Sequence, residues 1–208
     1  ATYDPVEDVG EFVVGAGRVA REDLPEAFDL LCALHDSPVG PLLVDDAGVV
    51  EGAASDATTG DLAGGDDDAV TLAFPSSITL EGVLLSRGID ARLMTAGLVE
   101  YDGDVRRYID VISGENATID VVRLLVDAGR TDVAGLLDAG QAVLIVDNRE
   151  FPLTRFEEAR DLATATSENL GGVLDLRRPR EPGPFPAGSP GWEFASLTYG
   201  GAAEQALA

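Results

Sequence analysis

Apolar side chains recur along this sequence with two periods, and the segments that carry them alternate. Over residues 22–35, Leu24, Phe28, Leu31 and Leu34 fall three or four apart, the spacing that lines one face of a helix. Pro25 lies in its first turn, where a missing N–H costs nothing. Further helices are expected over 79–86, 119–128, 132–138 and 155–169, with Thr131 and Thr154 as caps and Gly129, Gly140 and Gly171 as stops. Runs suited to strands fall at 11–14, 41–45, 69–74, 89–95, 98–101, 105–112, 142–146 and 173–176, with 48–51 as a hairpin partner of 41–45.

The order strand, helix, strand over 69–95 predicts a βαβ crossover between parallel strands. The uncharged run Val143-Leu144-Ile145-Val146 reads as the centre of that sheet, and Asp102-Gly103-Asp104 between two β-prone runs reads as an edge hairpin. The expected fold is α/β, a mixed α+β layered arrangement with a mostly parallel central sheet, an antiparallel hairpin edge and helices packed on it. Residues 1–178 are expected to form a single domain with an acidic loop at 55–68. Residues 179–208 are expected to form a Pro/Gly-rich C-terminal tail, with a segment at 192–199 able to dock on the core through Trp192, Phe194 and Tyr199.

Charge sharpens this picture. Asp and Glu number 38 against 14 basic residues, all arginine, for a net charge of −24 over 208 residues. The 45% of hydrophobic residues is enough for a core, which sets the chain apart from disordered acidic tails. An acidic surface without lysine suits strong salt, where a Debye length of about 3 Å screens the repulsion among carboxylates. A halophilic, archaeal protein is therefore expected. With no apolar run of about 18 residues and an acidic, polar start, a cytoplasmic protein that meets no membrane is expected.

The same composition removes chemistry. Without lysine there is no Schiff base and no P-loop, and one histidine (His35) with one cysteine (Cys32) leaves no Cys/His zinc site. Cys32, in an apolar run, is expected to be buried. Arg106-Arg107 and Arg177-Arg178 with Arg180 are local basic clusters best explained by salt bridges to nearby acids. The helices expected at 119–128 and 132–138 are followed by a strand and not by a basic recognition helix, so nucleic acid is not expected as a partner.

Two candidate sites remain. Gly15-Ala16-Gly17-Arg18-Val19-Ala20 matches G-x-G-x-x-[GA], in which Gly15, Gly17 and Ala20 would let a dinucleotide pyrophosphate approach a helix start. The second collects strand ends: Asp45, Asp46, Ser76, Ser77, Asp147 and Arg149, with Asn148 between the last two, would share one edge if their strands ran parallel. Acids there could hold Mg²⁺, and the hydroxyls and Arg149 a phosphoryl group. The expected function is a ligand-binding or regulatory domain recognising a phosphorylated metabolite or nucleotide. The alternatives are a dinucleotide-dependent oxidoreductase, an Mg²⁺-dependent phosphoryl enzyme, and an assembly protein that contacts a protein partner through 192–199.

Overall fold

The computed structural model describes residues 2–46, 68–113, 125–126, 128–186 and 188–207. The strand expected at 48–51, all but the last residue of the acidic loop at 55–68, and most of the helix expected at 119–128 lie outside the described residues. Two sheets organise the rest. The smaller holds β1 (Val14–Ala20), β2 (Asp45–Asp46) and β3 (Ala69–Pro75), with β3 in the middle. The larger runs β5 (Val105–Ser113), β4 (Arg92–Tyr101), β6 (Ala142–Pro152), β8 (Phe194–Tyr199) and β7 (Val173–Arg177) in spatial order. The described helices are α1 (Leu24–His35), α2 (Ile78–Ser86), α3 (Gly135–Ala139), α4 (Phe156–Leu170) and α5 (Ala202–Ala206).

Every strand pairing in both sheets is antiparallel. This overturns the mostly parallel central sheet expected from the sequence. The strand–helix–strand run is real, but β3 pairs with β1 and β2 whereas β4 pairs with β5 and β6, so α2 joins two sheets and crosses over within neither. Periodicity reports which face of a strand is buried and is silent about the neighbouring strand. The hairpin at Asp102-Gly103-Asp104 is present, with Gly103 at φ +67°. The runs expected at 89–95 and 98–101 merge into β4. Gly97 marks no turn: a Cβ there would come within 2.3 Å of the Asp110 carbonyl oxygen across the ladder.

One face of the larger sheet carries Phe151, Ala195 and Leu197 and is covered by α2 and α4 through Leu80, Leu84, Ala159 and Leu162. The opposite face is divided. Val99, Leu144 and Val146 pack under Leu34 of α1, Leu136 of α3 and Ala202 of α5. Further along β4 and β6, and on the neighbouring β8, the residues are buried and polar: Thr95, Asn148, Ser196 and Thr198. In the smaller sheet Val19, Leu72 and Phe74 meet Leu31 of α1, Ala203 of α5 and Leu207 just after it. Thus α1 and α5 fasten the two sheets together.

Within α1 the predicted face is only partly realised. Leu31 and Leu34 are buried, Phe28 is 52% exposed, and Cys32 is exposed, which corrects the expectation of a buried thiol. On α5, Gln205 extends the main ladder with its side chain, donating from Nε2 to Ile145 O at 2.9 Å and accepting from Ile145 N–H at 2.6 Å. The segment at 192–199 supplies β8, hydrogen-bonded to β6 on one side and β7 on the other, while Trp192 just before it stays 65% exposed.

Candidate ligand pocket

Gly15, Gly17 and Ala20 lie inside β1, opposite Phe74, Leu72 and Ala69 of β3, so no strand-to-helix turn exists at the glycine motif. The glycines serve packing. A Cβ on Gly15 would come within 2.5 Å of the Phe74 ring, and one on Gly17 within 3.3 Å of Leu207 Cβ.

Nor do the expected strand ends share an edge. Asp45 and Asp46 pair with Ala73 and Leu72 in the smaller sheet, whereas Asp147 and Arg149 belong to β6 of the larger one. Among the described residues no group of three or more His, Cys, Asp or Glu side chains is disposed to hold a metal ion. Ser76 and Ser77 precede α2, but the Ser76 N–H already donates to Val13 O at 2.9 Å, and Ser76 Oγ accepts from Ile78 N–H at 3.4 Å. Thr79 Oγ1 accepts from Val13 N–H and donates to Val13 O, each at 3.0 Å, so the helix start is tied to the chain entering β1.

Asp147 and Arg149 do meet, joined by Glu81 from α2. The Arg149 side chain is 3% exposed, contacts Asp147 directly and reaches Glu81 at 3.4 Å. Its Nε has no partner among the described residues. Protein atoms crowding the Glu204 carboxyl, and then the charge of Asp147, push that group up, although part of the Glu204 side chain still meets solvent. A guanidinium held between carboxylates under a helix is a structural ion network, in which each lost partner strands a buried charge. The other arginine clusters are also paired: Arg106 with Asp102, Arg107 with Glu100, and Arg177 with Asp175 and Asp104.

A pocket opens instead over the polar part of the larger sheet, with a volume of about 270 Å³. Its floor is Thr95 on β4, Asn148 and Glu150 on β6, and Ser196 on β8. Strand alternation puts these four on one face: Thr95 lies opposite Asn148, and Glu150 opposite Ser196. A register shift between Leu93 and Thr95 leaves Met94 without a partner on β6 and adds it to the wall. Asn148 is fixed by its amide nitrogen, which donates to Ser196 Oγ at 2.7 Å, Thr198 Oγ1 at 3.1 Å and Leu197 O at 3.3 Å. Tyr108 OH, 2.9 Å from Thr198 Oγ1, extends this chain, and burial pushes the phenol up. Thr95 Oγ1 is buried with no hydrogen-bond partner among the described residues. Burial pushes the Glu150 carboxyl above its usual range, opposed by Arg92, its cross-strand neighbour.

The remaining wall comes from the Pro/Gly-rich stretch before β8, through Phe185, Pro186 and Pro190. Arginines pin that stretch at both ends. Arg178 pairs with Glu157 and Glu181 and lies 3.8 Å from the Phe156 ring centre. Arg180, held at φ +65°, lies 3.8 Å from the centre of the Trp192 ring, and its N–H donates to Ser189 Oγ at 3.0 Å. Of the floor, only Asn148 stood out in the sequence, and then merely as a strand end. Thr95, Glu150 and Ser196 had no motif. The available signal was the alternation in Phe194–Tyr199, where Ala195, Leu197 and Tyr199 face the α2 and α4 core and Ser196 and Thr198 the opposite side, with Ser196 lining the pocket.

The fold is that of an α+β domain built on antiparallel sheets. The fold is similar to that of a solved nitrogen repressor-like protein from Methanococcus jannaschii, with a TM-score of 0.70 and 17% identity over 99% of this chain and 81% of that one. Residues 1–183 match the family model for NrpR regulatory domains NRD1 and 2, and the chain belongs to that family. Among curated proteins it is similar to the global nitrogen regulator NrpRI of Methanosarcina mazei, 23% identical over 177 residues that make up 84% of this chain and 52% of the relative. It is also similar to the global nitrogen regulator NrpR of Methanocaldococcus jannaschii, 26% identical over 137 residues, 64% of this chain and 22% of the relative. The chain therefore spans about half or less of these relatives, both from archaea. A regulatory domain is what the family assigns, in keeping with the regulatory, archaeal reading of the sequence. The expectation that nucleic acid plays no part finds no support in these relatives. No helix among the described residues is long and apolar enough to cross a membrane.

Proposed function

We propose that this domain is the sensing part of a nitrogen-responsive regulator, and that its ligand is a small metabolite held in the pocket over Thr95, Asn148, Glu150 and Ser196. Occupancy would be passed to a nucleic-acid-binding segment or partner, since the relatives are nitrogen regulators of which the matched residues make up only 52% and 22%. The observation that carries this reading is the pocket itself: a concave site with few converging polar groups, one of them on Thr95, whose buried hydroxyl has no partner among the described residues. A phosphorylated metabolite or nucleotide gains no support at this site, because no basic side chain among the described residues lines it. The high acidity fits a salt-adapted protein, whose melting midpoint should climb on moving from dilute buffer to molar KCl.

The test is thermal unfolding in molar KCl with a panel of central nitrogen and carbon metabolites. A true ligand at a hundred times its dissociation constant stabilises by about 2.7 kcal/mol. That stabilisation should shrink in Thr95→Val and be accompanied by a change in Trp192 fluorescence. The proposal fails if no metabolite shifts the midpoint, or if the shift is identical in the variant.

A further inference from the structure

The stretch that walls the pocket consists of two fixed posts with an unbonded span between them. On one side Arg177, buried at the end of β7 and paired with Asp175 and Asp104, donates from Nη1 to Pro182 O. On the other, Ser189 Oγ accepts from the Arg180 N–H at 3.0 Å, and Pro190 is buried. Between these posts lie Gly183 at φ +139° and Gly188 at φ +88°, both exposed, and inside them Pro184-Phe185-Pro186. Each proline ring fixes its own φ, and Pro186 holds Phe185 extended, so these three residues move as one stiff panel. The glycines that flank it have the widest choice of backbone angles. Among the described residues no hydrogen bond joins Phe185 or Pro186 to the floor strands, so the panel rests over the floor only through the apolar surface of two half-buried rings. Beneath it the floor side chains are well covered: Thr95 is 6% exposed, Asn148 2% and Ser196 4%.

We propose that this panel is a flap that gates the pocket, swinging on Gly183 and Gly188 between a closed position over the floor and an open one. It rests on the sensing role proposed above and deepens it: the metabolite enters when the flap opens and holds it shut once bound. A few terminal or loop residues that absorb a backbone change are the usual hinges of such lids. Gly188 sets the balance between the two positions. The closed flap needs its positive φ, which an L side chain resists, while a Cβ there would meet nothing within 4 Å. Alanine at this position therefore penalises the closed flap without creating a clash. Gly183 is less suited to the purpose, since a Cβ there would run into the Arg177 guanidinium.

The experiment needs no ligand. In the full chain carrying Cys32→Ser, a thiol is placed on the floor by Thr95→Cys, which gives up no hydrogen bond, and separately by Ser196→Cys. Alkylation by dilute N-ethylmaleimide is timed in molar KCl, and the exposed Cys32 of the native chain supplies the rate of an uncovered thiol. Both floor thiols should react far more slowly than Cys32. Adding Gly188→Ala should speed both by about tenfold, and by the same factor at the two positions, because one motion uncovers them. Phe185→Ala, which removes the ring that seats the panel, should also speed both. Alkylation of Cys32 in Gly188→Ala alone should stay at the native rate, which separates flap opening from a general loosening of the fold. Thermal unfolding shows that each variant is folded, and the second floor position serves if the first does not fold. Floor thiols as reactive as Cys32, or rates that Gly188→Ala and Phe185→Ala leave unchanged, or an acceleration shared by Cys32, would each overturn the flap. None of these outcomes touches the sensing role, which the metabolite panel decides by itself.

Discussion

Replacing Thr95 by valine should stabilise the ligand-free protein, the opposite of what losing a buried hydroxyl does where that hydroxyl is bonded. Thr95 is 6% exposed, and its Oγ1 is buried with no partner among the described residues. An unpaired buried hydroxyl costs about 1–3 kcal/mol relative to water. Valine has the same branched shape and an equal preference for strands, so β4 and its pairing with Asn148 need not move. Recovering even the low end of that cost gives about 1 kcal/mol, and for a chain of this size about 2–4 °C in melting midpoint. Thermal and urea unfolding in molar KCl, with slopes compared to confirm an unchanged unfolding transition, would measure it. A loss of 1 kcal/mol or more would show that the hydroxyl is satisfied in solution, and the argument that Thr95 is kept for a ligand would collapse. A gain in stability coupled to weaker ligand binding is the pattern expected of a group retained for function at the expense of the fold.

Four further outcomes follow from other parts of the molecule. Gln205→Ala strands both backbone groups of Ile145 in a buried setting; a loss of about 3 kcal/mol is expected, together with faster hydrogen exchange at the Ile145 amide, and an unchanged exchange rate would refute the role given to this side chain. Asp147→Ala should cost about 3 kcal/mol or more, because it leaves the Arg149 guanidinium buried with Glu81 alone, whereas Arg149→Met should cost less, since Asp147 and Glu81 can both reach water. Equal losses in denaturant titrations would contradict that asymmetry. For Glu150 the sign follows from its raised pKa: the folded state keeps a proton that the unfolded chain has released. Its contribution to stability therefore falls as pH rises from the ordinary glutamate range through the raised value, and is constant above it. Glu150→Gln should flatten that slope and leave the ligand-free protein no less stable at neutral pH; a steeper slope in the variant would reverse the assignment.

What the sequence could disclose depended on the range of each interaction. The helices at 24–35, 78–86 and 156–170 were legible because their apolar residues repeat within one turn, and the hairpin because Asp102-Gly103-Asp104 is local. Pairing is not local. Nothing in the run 69–74 indicates that it joins residues 14–20 instead of 92–101, so the parallel sheet was a reasonable expectation and a wrong one. β6 looked like a short strand ending at Val146 because charge follows. It continues to Pro152 because Arg149 finds Asp147 and Glu81 on one face, and Asn148 a set of hydroxyls on the other. The glycine motif misled for a related reason. In a chain rich in glycine, a strand that must pass under Phe74 uses the same residue that a phosphate-binding turn would use. The pocket was the least legible feature, since Thr95, Glu150 and Ser196 come from three strands and only the sheet brings them together.

The position of β8 bears on how such a chain leaves the ribosome. Among the described residues β7 has β8 as its only sheet neighbour, and β6 has β8 along its second edge, so until residue 199 has emerged the described larger sheet consists of β5, β4 and β6. With synthesis at roughly 5–20 residues per second, the nascent protein exposes the open edge of β6 and the unpaired Val173–Arg177 for a second or more. Arg149, Asp147 and Glu150 lie along that waiting edge of β6, and Arg177 and Asp175 along β7. Charge of both signs at these positions discourages the bare strands from pairing with those of a neighbouring nascent chain before their own partner arrives.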